Sequence, residues 1–207
     1  MYISKIRVNE IYFFLLKGGI FIMSAKIISA FPACGKSTYY RDWSQYSEDN
    51  MWRRSNNGDQ VYDINGFPVG DKILDSDSSL FSWVYDVCGN KTNERDINFP
   101  NNYIQHIKER MKTEDIIFVS SHKVVRDALR ENNIPYYLIY PSIDMKDEWI
   151  RRFKERGNTE SFIKFQKEHW DEFINDMMSE TYPKKICLSY DIINNRMINS
   201  IMDCEED

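Results

Sequence analysis

The stretch Ala30-Phe31-Pro32-Ala33-Cys34-Gly35-Lys36-Ser37-Thr38 places a glycine, a lysine and two hydroxyls in direct succession. That order suits an oligophosphate. The glycine lets the backbone approach closely, the lysine neutralises terminal phosphate oxygens, and Ser37 offers an oxygen to Mg²⁺. The pattern G-x-x-x-x-G-K-[ST] asks for glycine at position 30, where this chain has Ala30, and Ala33 stands where a further glycine is frequent. Alanine enters the positive-φ region at a cost of about 1 kcal/mol or somewhat more. The loop is therefore expected to avoid positive φ or to bear strain. Ala33, Cys34, Gly35, Lys36, Ser37 and Thr38 are the candidate nucleotide-binding residues. The competing reading is an ordinary strand-turn-helix with a lysine at the helix start.

Three further groups carry chemistry. Asp75-Ser76-Asp77 follows a short apolar run, so two carboxylates stand two residues apart at a strand end. Strand side chains alternate, so both share one face if the extended geometry persists. One would serve near Mg²⁺ and the other at an acceptor; the alternative is a helix cap, with Asp77 or Ser78 capping a helix through Tyr85. Ser120 ends the most apolar run, and with no acidic residue there it is the candidate to position the Mg²⁺ water shell. Arg151, Arg152 and Arg156 crowd one short segment before Gly157, as a lid that neutralises a migrating phosphoryl group would require. The alternative there is a solvated face, because Trp149 and Phe153 line the other side. His122 reads as a helix start rather than a catalyst.

These groups need elements to hold them. Lys26–Phe31 is β-prone and Ser37–Tyr46 is helix-compatible, so the lysine falls between strand and helix, where N–H groups point at an anion. Ile73 and Leu74 mark a second strand. Leu80 to Tyr85 reads as a helix and Asp86 to Asn98 as a loop. Asp115–Val119, Ile134–Tyr140 and Lys185–Ser189 are further strands. They alternate with helices at Asn101–Lys112, around Val124–Leu129, around Trp149–Phe153, along one long stripe from Phe162 to Met177, and at Ile192–Met202. Asn65-Gly66 marks a hairpin turn, which Pro68 confines to an edge. The alternation predicts an α/β fold with a mainly parallel five-stranded sheet and right-handed crossovers.

Composition narrows the classes. Hydrophobic residues make up 42% and aromatic residues 14% of the 207, enough for a full core. The net charge of −5 argues against stable nucleic-acid binding. The 4 cysteines and 3 histidines form no metal-ligand spacing and no disulfide framework, which points to a reducing cytoplasm. Cys34 reads as a small loop filler, with alkylation sensitivity as the other option. Residues 1–22 look foreign to the domain. Ile11–Leu16 is too short to span a bilayer. Lys17-Gly18-Gly19 is what a bacterial ribosome-binding sequence encodes when translated, so Met23 is the expected start and residues 1–22 a non-native or disordered extension; a membrane-touching segment is the alternative. The domain is then 23–207, with a helical lid around 145–180, as a monomer or homodimer.

Taken together, Gly35-Lys36-Ser37-Thr38, Leu74-Asp75-Ser76-Asp77-Ser78-Ser79 and Arg151-Arg152-Phe153-Lys154-Glu155-Arg156-Gly157-Asn158 resemble P-loop small-molecule and nucleotide kinases. Met23 to about Tyr190, including Phe118-Val119-Ser120-Ser121-His122, is similar to phage-encoded nucleotide-kinase-like ATP-binding proteins. The resemblance implies a three-layer P-loop fold, ATP and Mg²⁺ as cofactors, and transfer to a small acceptor such as a nucleoside or nucleotide. The acidic pair resembles that of shikimate kinases, which implies Asp75 near Mg²⁺ and Asp77 on the acceptor hydroxyl. The triple glycine that binds shikimate is absent. Two other functions remain open: a P-loop ATPase or nucleotide-binding module acting on a protein partner, and a polynucleotide 5′-kinase.

Overall fold

A computed structural model describes residues 5–8, 11–16, 19–23, 25–38, 40, 61–62, 68–69 and 73–190. The centre of the fold follows from two runs of apolar residues that need cover on both sides. Strand β10 (Ile116–Ser120) buries its first four residues, and β4 (Lys26–Ala30) buries its last four. β11 (Tyr137–Pro141) behaves in the same way. Such continuous burial is the mark of central strands in a parallel sheet. The less buried β7 (Ile73–Asp75) and β12 (Lys184–Leu188) form the edges. The five strands are ordered β12-β11-β4-β10-β7, and all four pairings are parallel. The expected five-stranded parallel α/β sheet is thus present.

The order sets where a ligand fits. From β4 the chain crosses β10 to the edge at β7, then works back through β10, over β4 to β11, and on to β12. Only the connection leaving β4 runs in that direction. Right-handed crossovers place it on the opposite face from the others, which opens a crevice beyond the carboxyl ends of β4 and its neighbours.

The remaining strands lie outside this sheet. Residues 1–22, expected as an extension, contribute to a separate antiparallel sheet of β1 (Lys5–Val8), β2 (Ile11–Leu16) and β3 (Gly19–Met23). β5 (Val61–Tyr62) pairs with β6 (Pro68–Val69), but the Asn65-Gly66 turn lies outside the described residues. So do the expected helix at 192–202 and most of the helix after Lys36, of which 36–38 is described as helical.

Two expectations are corrected. The helix expected from Leu80 to Tyr85 is only α1 (Ser79–Ser82); Trp83 then leaves the helix with φ −130° and ψ 149°. Strand β8 (Trp83–Tyr85) pairs with β9 (Lys91–Arg95) inside the span read as a loop. Asp86 makes this hairpin. Its carboxylate accepts from the N–H groups of Cys88 (2.9 Å) and Asn90 (2.8 Å), and Gly89 supplies φ 79°. The long stripe from Phe162 is two helices, α5 (Glu160–Glu168) and α6 (Trp170–Ser179), broken at His169. The break sets Trp170 fully into the core, where its indole N–H donates to Ile143 O at 2.9 Å. The other helices are α2 (Asn101–Arg110), α3 (Lys123–Glu131) and α4 (Lys146–Glu155).

One buried charge ties α3 to α6. Arg126, 2% exposed, pairs with Asp176 and lies 3.2 Å from Glu180 Oε1, an ion pair whose angle falls short of a hydrogen bond. Glu180 also accepts from the Tyr136 hydroxyl at 2.7 Å. Removing one member leaves buried charge without its partner, so Arg126→Met should lose about 3 kcal/mol in urea denaturation. A loss under about 1 kcal/mol would show that the network is solvated and contributes little.

Candidate functional site

The loop between β4 and the helical turn at 36–38 is folded around two residues with positive φ: Ala33 at 65° and Gly35 at 94°. The second needs a glycine; the first is strained, as an alanine at this position must be. The loop closes on itself through Cys34 N donating to Phe31 O at 3.2 Å, and joins the sheet through Phe31 N donating to Ile139 O at 2.9 Å. Among the described residues, the N–H groups of Ala33, Gly35 and Lys36 donate to no backbone carbonyl. Successive backbone N–H groups with alternating handedness form a concavity suited to an anion.

Helix α4 holds the outer wall of this loop. The fully buried Trp149 donates its indole N–H to Pro32 O at 2.8 Å. Arg152 donates to Ala33 O at 3.4 Å while its guanidinium lies over the Trp149 ring. Trp170 packs against Trp149 and meets Phe31 edge-on, with ring centroids 5.7 Å apart.

The lysine spans the two central strands. Lys36 Nζ donates to Ala30 O at 3.2 Å and to Val119 O at 3.0 Å, the carbonyls at the carboxyl ends of β4 and β10. Burial pushes its pKa below the ordinary lysine value, with Asp75 and Asp77 among the groups acting the other way. An ammonium has three donors, so one remains for a ligand. Ser37 Oγ donates to Asp75 Oδ2 at 2.8 Å. This joins the loop to the end of β7, 38 residues away. The structure therefore brings Gly35, Lys36, Ser37 and Asp75 to one edge, with Asp77 close enough to act on Lys36.

Asp77 lies past the end of β7 and does not continue the strand. Its Oδ1 accepts from Ser79 N and its Oδ2 from Ser79 Oγ, each at 2.8 Å, so it closes the start of α1. The carboxylate thus takes the capping role, one of the two readings of the sequence, and its charge also acts on Lys36. Ser76 is locked between them, its N–H on Phe118 O (2.9 Å) and its carbonyl accepting from Tyr103 Oη (2.9 Å). Ser120 lies at the same edge of the sheet. Its hydroxyl accepts from His122 N at 3.4 Å and its carbonyl from Ser29 Oγ at 3.1 Å. His122 occupies the position before α3, as expected of a helix start. Atoms packed around its ring, then the charges of Lys36, Arg95 and Arg126, hold its pKa below the ordinary histidine value, although the residue as a whole is exposed.

The three arginines separate. Arg151 is exposed and held by Glu148 and Glu155. Arg152 reaches the loop. Arg156 ends α4, where Gly157, at φ 72°, and Asn158 return their N–H groups to Lys154 O (2.9 Å) and Phe153 O (3.1 Å), the double bond pattern of a glycine-closed helix. The Arg156 side chain makes no ion pair or hydrogen bond with a described residue, and its charge reaches Lys36 and Cys34. Cys34 is buried, and burial pushes its thiol up to about 12, which fits the reading as a small filler of the core.

As to metal, no cluster of three or more His, Cys, Asp or Glu stands ready among the described residues. Mg²⁺ keeps several waters and takes one or two carboxylates plus phosphate oxygens, so the Ser37–Asp75 pair fits it without a full protein cage. Sequence reasoning missed Trp149 as the clamp on the loop, and it missed the cluster of Trp83, Lys91 and Arg95 on the β8–β9 hairpin. The first was legible only as a core position; the others lay in spans misread as helix and loop. Comparison with protein-family models, curated proteins and solved structures gave no match.

Two outcomes test this geometry. Ala33→Gly relieves the positive-φ cost but adds chain entropy to the unfolded state, so its stability should stay within about 1 kcal/mol of wild type. Ala33→Val should lose about 1–3 kcal/mol, because a branched side chain tolerates positive φ worst. Equal stability of the valine variant would mean that the loop relaxes out of this conformation. For Glu148, the hydrogen bonds from Arg151, then Arg152, hold the pKa down at about 2. A depressed carboxylate pKa gives stability that is present above the ordinary carboxylate range and is lost as pH falls towards about 2. Glu148→Gln should therefore be less stable than wild type at pH 7 by about 1 kcal/mol. The two should converge in thermal melts near pH 2–3.

Proposed function

We propose that this chain is a P-loop kinase, which transfers the γ-phosphoryl group of ATP to a small nucleoside- or nucleotide-like acceptor. The observation that carries the reading is the position of Lys36. Its ammonium sits at the carboxyl ends of the two central strands, directly beside a loop whose N–H groups lack backbone partners and whose serine touches the carboxylate of the neighbouring strand. Topology supports it, since the loop strand β4 lies where the direction of connection reverses.

In this reading ATP is the substrate. The N–H groups of Ala33, Gly35 and Lys36 cradle its phosphates, and the remaining Lys36 donor turns to the terminal oxygens. Ser37 and Asp75 would hold Mg²⁺, with Ser120 at the edge of its water shell; when bound, the ion neutralises charge on the transferring group. Arg156 supplies positive charge from the end of the lid helix, and Arg152 keeps the loop in shape while adding to that charge. The free thiols of Cys34, Cys88 and Cys187 suit a reducing cytoplasm. No described helix is long and apolar enough to cross a membrane.

ADP release in the presence of acceptor, together with ATP titration calorimetry, tests the reading. Lys36→Ala should abolish turnover and weaken ATP binding by about tenfold or more. Unchanged ATP affinity in that variant would place the nucleotide elsewhere. Arg156→Ala should lower kcat by about 10²–10³ with little change in KM for ATP. Arg151→Ala should cost less, because that guanidinium is committed to Glu148 and Glu155. The reverse order would return α4 to a solvated face.

A further inference from the structure

The β8–β9 hairpin carries positive charge that no described carboxylate pairs with. Lys91 Nζ lies 4.0 Å and the Arg95 guanidinium carbon 3.7 Å from the centroid of the Trp83 ring. Neither cation forms an ion pair or side-chain hydrogen bond with a described residue, whereas Arg110, Lys123, Arg126, Arg130 and Arg151 all pair with carboxylates. The carboxylates nearest in sequence are directed elsewhere. Asp86 is spent on the hairpin turn. Glu94 falls on the other side of the strand from Arg95, since strand side chains alternate.

The hairpin is also anchored to the site. Asp77 starts α1, and α1 runs straight into Trp83, which pairs in register with Arg95. Asp96 N donates to Ser82 O at 3.2 Å, and Asn102 Nδ2 donates to Phe81 O and to Asp96 Oδ2. The base of the arm is thus fixed to α2 and to the Asp77 turn, while its cations stay exposed. The charges of Lys36 and Arg95 both reach His122, the residue before α3. A guanidinium braced on an indole keeps forked donors for a planar or tetrahedral anion.

We propose that the β8–β9 hairpin is an acceptor-recognition arm whose Arg95 and Lys91, braced on Trp83, bind a phosphate already present on the acceptor, so that the acceptor is a nucleoside monophosphate. This rests on the phosphotransfer reading above. An oxygen of the acceptor phosphate attacks the γ-phosphorus of ATP, and the bond from that phosphorus to the β–γ bridging oxygen breaks. ADP leaves with the electron pair and a nucleoside diphosphate forms. The attacking oxygen is already ionised, so no base is required.

The test uses the full chain with ATP and Mg²⁺ and offers adenosine, guanosine, cytidine and uridine alongside their 5′-monophosphates. Transfer is expected to a monophosphate and to no nucleoside. Arg95→Ala should raise KM for the monophosphate about tenfold or more with KM for ATP unchanged, and Arg95→Lys should fall between. Transfer to a nucleoside or to a 5′-hydroxyl oligonucleotide in preference to any monophosphate would overturn the proposal while leaving the kinase reading intact. So would an unchanged acceptor KM in Arg95→Ala. If ATP itself fails to bind, the kinase reading fails separately. Calorimetric titration of the monophosphates into wild type, Arg95→Ala and Lys91→Ala then decides the arm alone, as it does if no acceptor is phosphorylated. Binding weakened about tenfold or more by the substitutions supports it, and absent or unaltered binding overturns it.

Discussion

The indole N–H of Trp149 is fully buried, and the carbonyl of Pro32 is the acceptor it has found. A buried donor left unpaired costs about 1–3 kcal/mol, so helix α4 and the loop are committed to one relative position. The rest of the site hangs on this contact. Pro32 precedes the strained Ala33, and Arg152, three residues further along α4, donates to the Ala33 carbonyl. A positive φ at alanine persists only where its surroundings over-determine it. Here they do so from three sides: the indole and guanidinium of α4, the Phe31–Ile139 bond to the sheet, and the Trp170 ring against Phe31. The helix that brings Arg156 towards the lysine is therefore the same helix that shapes the loop. Charge and cradle are set by one packing interface rather than two.

Electrostatics follow the same economy. The chain is acidic overall, yet the charge of Arg156 at the end of α4 reaches Lys36, and Lys91 and Arg95 on the hairpin make no ion pair with a described residue. Cations whose carboxylates are close, such as Arg126 and Arg151, hold structure together instead. Burial lowers the pKa of Lys36, and the two aspartates act against that shift. The carboxylates at and just past the end of β7 thus help to keep a buried ammonium in place.

Much of this was legible in the sequence, and the reasons differ by element. Ile116 to Val119 is apolar without interruption, which marks a buried strand of a parallel sheet; its place beside β4 is known from the structure alone. Gly35-Lys36-Ser37 between a strand and a helix gave the loop, and Asp75 at the end of the second strand gave its partner. The turn from Ser79 to Arg95 was not legible, because Leu80, Phe81, Val84 and Tyr85 match helical spacing, while tertiary contact decides otherwise. Trp83 is held by Lys91 and Arg95, cross-strand partners that periodicity along one segment cannot reveal. The break at His169 was hidden for a similar reason: the apolar stripe runs through it, but Trp170 must turn to reach the Ile143 carbonyl and the Phe31 ring.

Asp77 shows how the two halves of the site constrain each other. A carboxylate offers about four lone-pair positions, and two of these are engaged by Ser79, one on each oxygen. A residue serving as general base must present a well-directed lone pair within hydrogen-bond reach of the proton it takes. With both oxygens fixed by the cap, Asp77 keeps positions for contact but little freedom to swing towards an incoming hydroxyl. Moving it would also open the turn that starts α1, and α1 leads without a break into Trp83 and the hairpin. A carboxylate so placed is better suited to orient the arm and to balance Lys36 than to abstract a proton. That agrees with an acceptor whose attacking oxygen arrives ionised and whose charge is met by cations beyond the same turn.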